Sequence, residues 1–198
     1  METIPTGIDT IDAHASFNGV PLGGLPIGRI TEFRTYPDAE PHRFLVRLVS
    51  RMLGDDSTRE VTWLDGMYVL FQNMSLLLEE AGIKEGITVF SPPENNKEEW
   101  FLTVVSELVG LVDIIVVDGL DMLLETGQMQ SVIPKLTDIS NQGRICTIVR
   151  THAWYSPRAG IDFTSAGDIL QDYAALGFEL FADDKLRLIY SKIGTQAN

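Results

Sequence analysis

The chain has 198 residues, 44% of them hydrophobic and 22% charged, with a formal net charge of −13 and an isoelectric point near 4.5. That length suits one domain with a substantial core, and the negative charge argues against nucleic-acid binding by the whole surface, because such affinity rests on Lys/Arg neutralising phosphates. No apolar run approaches the ~18–20 residues of a membrane span, and the start, METIPTGID, lacks the basic flank and apolar core of a signal peptide; no membrane association and a cytoplasmic location are therefore expected.

The chain reads as alternating strands and helices. Candidate strands fall at residues 29–33, 61–64, 87–90, 114–117 and 144–150. Between them, apolar runs with helical spacing occupy 43–53, 69–81, 97–109 and 129–141. This alternation predicts an α/β domain with a largely parallel sheet. The run IIVV (114–117) is continuously apolar, as a central strand covered on both faces should be. The stretch 153–167, AWYSPRAGIDFTSAG, reads as a long loop of the kind that binds things. Two β-patterned runs, 177–182 and 186–191, flank Asp183-Asp184-Lys185 and predict an antiparallel hairpin at the sheet edge. The single Cys146 lies in a β-patterned run and reads as a buried structural thiol.

The most informative stretch is RTYPDAEPH, residues 34–42, between the strand ITEF and the helical run RFLVRLVSRML. Strand, tight loop, helix is the setting of a phosphate-binding loop, which needs glycines, a lysine and a Ser/Thr hydroxyl. This loop has no glycine, no lysine, two prolines without N–H donors and two carboxylates, so Thr35, Asp38, Glu40, Pro41 and His42 read as a degenerate nucleotide site. Pro41 suits the first turn of a helix, so Asp38 or Glu40 is expected to sit against the free N–H groups of that helix, where a phosphate would otherwise go. His42 is expected at the surface, since the helix dipole disfavours a cation there.

Strand ends carry Asp65 and Asp118. An Asp in the latter setting can orient Mg²⁺; a cap or turn role is the plainer expectation. With Thr151 and His152 they converge on the edge where open α/β sheets bind ligands. Arg43, Arg47 and Arg51 stand four apart and form a basic stripe, either solvated or docking an acidic partner or a phosphate backbone. Trp154, Tyr155 and Arg158 could stack on single-stranded bases, although packing on the domain or a partner is the plainer reading.

These segments resemble the core of the RecA/RadA recombinase family. IPTGIDTIDA and GGLPIGRITEF are similar to the family's lead into its first core strand, VTWLDGMYVL to the strand with its catalytic glutamate, VDIIVVDGLDML to its Walker B strand, and AGDILQDYAA to the segment after its second DNA-binding loop. The resemblance covers essentially the whole chain in order. It implies a single RecA-like three-layer αβα domain over 1–198, lacking the N-terminal oligomerisation element. Matching by order puts Pro41 at the Walker A lysine, His42 at its Thr/Ser, Met67 at the catalytic glutamate, and His152 near the glutamine switch; only Asp118 is kept. The implied protein has no catalytic residue, cofactor or metal. It would be an inactive partner or regulator in DNA recombination or repair, docking on a RecA/RadA-type recombinase, another paralog or itself, with single-stranded DNA as a weaker partner. Alternatives are a subunit completing an ATPase site in trans and a SulA-like stress inhibitor of a non-DNA target. The TGIDTID lead favours paralog and ImuA-like relatives over SulA.

Overall fold

A computed structural model describes residues 1–14, 16–17, 20–21, 23–54, 58–67, 69–83, 85–156, 161–164 and 166–192. In chain order the elements are β1 (Thr3–Ile4), α1 (Asp9–His14), β2 (Ser16–Phe17), β3 (Val20–Pro21), β4 (Leu25–Pro26), β5 (Ile30–Thr35), α2 (Pro41–Leu53), β6 (Val61–Asp65), α3 (Val69–Glu80), β7 (Ile87–Phe90), α4 (Lys97–Glu107), β8 (Ile114–Asp118), α5 (Leu120–Leu123), α6 (Thr126–Gly143), β9 (Cys146–Ser156), β10 (Ile161–Thr164), α7 (Gly167–Tyr173), β11 (Leu176–Leu180) and β12 (Leu186–Ser191).

The main sheet runs β12-β11-β5-β9-β8-β6-β7, with β10 attached to β9. Every neighbour along that path is parallel except the β11/β12 hairpin, which is antiparallel as expected. Alternate residues of each strand feed two cores. Phe33, Trp63, Val116 and Ile148 pack under α2 and α3, while Leu64, Val117 and Val149 pack under α4, α6 and α7. The fold is therefore helices on both faces of a mostly parallel sheet. Ile114 to Asp118 are all buried, which is what the unbroken IIVV run requires.

The helix α2 shows how local sequence places the site. Pro41 opens it, where a missing N–H costs nothing. Phe44, Leu45, Leu48, Val49 and Met52 then recur at three- and four-residue spacing and are buried against the sheet, each contributing roughly 1.5–3 kcal/mol. Gly54, at φ +52°, ends the helix. Its N-terminus is thereby held over the carboxyl ends of the central strands.

The N-terminal lead is a structural staple. Asp12 accepts from Thr6 Oγ1 at 2.6 Å, Thr6 N at 3.1 Å and Gly7 N at 3.0 Å. A Cβ on Gly24 would stand 2.2 Å from the Ile4 carbonyl oxygen, so the β1/β4 pairing admits only glycine there.

Two expectations change. The predicted strand 144–150 begins later, because Arg144 takes the left-handed conformation that closes α6. The predicted long loop 153–167 is largely a β-arm: β9 continues to Ser156 and pairs antiparallel with β10. The alternation in AWYS and IDFT carries strand character that the intervening Pro and Gly concealed.

Candidate functional site

The strand ends converge as the sequence suggested. In register, Asp65 lies beside Asp118, Asp118 beside Arg150, and Thr35 beside His152. The period of two turns Asp65, Asp118 and Arg150 toward the α2 face, since each lies two residues beyond a residue of that core. All three are buried.

An internal ion network fills this space. Arg150 Nε donates to Asp118 Oδ1 in a fully buried salt bridge. His42 Nδ1 meets the other carboxylate oxygen, Oδ2, at 2.8 Å. Arg150 Nη1 also donates to Thr35 Oγ1 at 3.2 Å and to His152 Nε2 at 3.1 Å. Because arginine only donates, His152 Nε2 must accept; its proton sits on Nδ1, which donates to Asp121 at 2.8 Å. The backbone N–H of His152 points to the same Asp121 oxygen at 3.3 Å. Thr35 passes its own hydrogen to the Thr151 carbonyl at 3.0 Å. Five elements, α2, β5, β8, α5 and β9, are thus tied together at one sheet edge.

The electrostatics follow from this geometry. Burial works against the Asp118 charge, but Arg150 and His42 outweigh it and hold the carboxyl below its ordinary range. Both carboxylate oxygens are engaged by cationic or polar N–H groups of the chain itself. Met67 closes the neighbouring side: a Cβ on Gly119 would stand 3.1 Å from Met67 Cγ and 3.2 Å from Arg150 Nη2. The Met67 thioether and the Arg150 guanidinium therefore both pack against Gly119.

Several expectations are corrected here. His42 is not a surface histidine; its side chain is 19% exposed and bound to Asp118, a buried acid that offsets the unfavourable dipole. Asp118 is not a cap but half of a buried ion pair. Glu40 occupies the N-cap position without capping, and its carboxylate turns instead to Arg43 at 2.9 Å, while Asp38 is exposed. The phosphate position is therefore not plugged by those two carboxylates.

The arginine stripe is also committed internally. Arg43 pairs with Glu40 and Glu80, Arg47 with Asp184, and Arg51 donates to the Gly7 carbonyl at 3.2 Å. It reads as an intramolecular fastening of α2 to α3, the hairpin and the N-terminal turn, with Arg43 and Arg47 paired to acids and Arg51 bound to a carbonyl. Trp154 and Tyr155 lie on β9, paired with Phe163 and Asp162; their side chains and Arg158 lie outside the described residues.

No protein-family model matches the chain. No curated protein matches it either.

Arg150 and Asp121 are the residues that sequence reading missed. The available signal was an arginine inside the β-patterned run ICTIVRTH, at a position whose alternation points it into the core. A buried arginine demands a carboxylate, and Asp118 is the residue opposite it on the adjacent strand. A second buried cluster lies on the other sheet face. Glu32 accepts from Tyr190 Oη at 2.6 Å and Thr151 Oγ1 at 3.2 Å and pairs with Arg34 at 3.0 Å. It fastens the terminal hairpin to β5 and pushes the Tyr190 phenol up, first by burial and then by the Glu32 charge. Among the described residues no group of His, Cys, Asp and Glu has the arrangement of a metal centre.

Proposed function

We infer that this chain is a non-catalytic RecA-like protein that works as a partner or regulator in DNA recombination or repair. One observation carries the non-catalytic half: Asp118, the only nucleotide-site residue that the family resemblance retains, spends both oxygens on Arg150 and His42. A magnesium ion would have to displace a buried guanidinium whose removal leaves the carboxylate partly unpaired. The recombination half is supported by the order of the quoted segments, and the three-layer α/β architecture is compatible with it. A site completed in trans faces the same barrier, because a neighbour can add a lysine but cannot remove Arg150.

Calorimetry with Mg-ATP tests the first half. No heat of binding is expected up to millimolar nucleotide, and a micromolar Kd overturns the reading. Reciprocal co-purification from the native host tests the second: recovery of a recombinase or paralog supports it, and recovery of a cell-division target in its place refutes it.

A further inference from the structure

Between α4 and the turn from α5 into α6 lies an open groove of about 1170 Å³. Its lining is mixed, and it includes half-buried Leu102 and Met122, a large apolar side chain left 51% exposed. Its walls carry Glu94, Glu98, Glu99, Glu107, Asp121 and Glu125 against one ammonium, Lys97. Lys97 spends a hydrogen bond on the Met122 carbonyl at 3.3 Å, and Asp121 is taken by His152. Glu98 accepts from Ser131 Oγ at 2.5 Å, which ties α4 to α6 and sets the width of the groove. Among the described residues no ion pair neutralises Glu94, Glu99, Glu107 or Glu125.

The combination is specific. An exposed methionine lining a groove is an adaptable apolar anchor point, and a one-signed rim selects the charge of what lies on it. The sign rejects a phosphate backbone and matches lysine and arginine. We propose that this groove docks a basic amphipathic segment of a partner protein, with apolar side chains on Met122 and Leu102 and cations along the glutamate rim. The proposal rests on the reading that the chain acts by binding a partner, and it names the chemistry of that partner. It also moves the contact surface away from the arginine stripe of α2, which is satisfied within the chain.

The probe is a labelled helical peptide of leucine and lysine, leucines spaced i, i+3, i+4, titrated with the full chain and read by fluorescence anisotropy. The paired reversal Glu99→Lys/Glu107→Lys weakens binding roughly tenfold or more, while Glu79→Lys, on α3 in the opposite helical layer, leaves it unchanged. Met122→Ser also weakens binding. Equal loss in Glu79→Lys would mean attraction to net charge alone and overturns the groove, as does unchanged binding in the paired reversal or equal affinity for a leucine–glutamate peptide. Melting curves accompany each variant; if the paired reversal unfolds, Glu99→Gln with Met122→Ser gives the same readout. Mg-ATP calorimetry is independent of these outcomes, so failure of the groove and failure of the non-nucleotide reading are separately visible.

Discussion

Replacing Arg150 by Met is the sharpest perturbation that the structure offers. The side chain is 1% exposed and its partner Asp118 is fully buried, so the variant leaves a carboxylate in the interior with one of its two N–H partners gone. Removing one member of a buried pair costs about 3–5 kcal/mol; Asp118 keeps His42 at 2.8 Å, which places the expectation near the lower end. For 198 residues, an unfolding entropy of roughly 2.1 cal/mol/K per residue gives about 0.4 kcal/mol/K, so the melting temperature falls by about 7–8 °C. The double variant Arg150→Met/Asp118→Leu removes both charges and returns to within about 1–2 kcal/mol of the native chain, because two apolar groups no longer leave an orphaned ion. Urea denaturation of the native chain, both singles and the double gives the coupling energy directly. Additive losses in the double variant, or a single-variant loss under about 1 kcal/mol, would refute the buried ion pair as the centre of the network.

Two further expectations follow from the same chemistry. Asp118 titrates below its ordinary range when folded, so the unfolded chain binds its proton more readily; this stabilisation is complete above about pH 4–5 and drains away as the pH falls through the folded value. Asp118→Asn is accordingly less stable at neutral pH and loses less on acidification than the native chain, which urea midpoints across the acid range would show; parallel curves count against it. Burial pushes the Cys146 thiol up to about 12, so the native chain stays unlabelled by a thiol-exchange reagent at pH 8 and reacts fully in denaturant, whereas labelling of the folded chain within minutes contradicts that burial.

Much of the architecture was legible because it rests on local patterns. The strand at 87–90 and the second run of the terminal hairpin fall where periodicity places them, the first run ends two residues early at Leu180, and helix ends at Pro41 and Gly54 follow from backbone chemistry alone. The site was half legible. Asp65, Asp118 and His152 were brought to one edge by the alternation of strands and helices, but their partners were not assigned. The bond of His42 to Asp118 spans 76 positions and that of Arg150 to Asp118 spans 32, and both depend on strand register and on the angle at which α2 enters. A dipole argument applied to His42 alone points outward; the buried acid opposite reverses it. The arginine spacing on α2 was likewise visible, whereas Asp184, which neutralises Arg47, arrives from the distant hairpin.

The pairing of Arg150 with Asp118 also bears on how such a chain could change over generations. Substituting threonine for His42 would take away one of the two N–H partners of Asp118. Removing Arg150 first would strand Asp118 in the interior. Either single change therefore leaves a buried carboxylate short of a partner. The strand register that seats a guanidinium beside this carboxylate thus acts as a ratchet, tying the fate of each residue to the other.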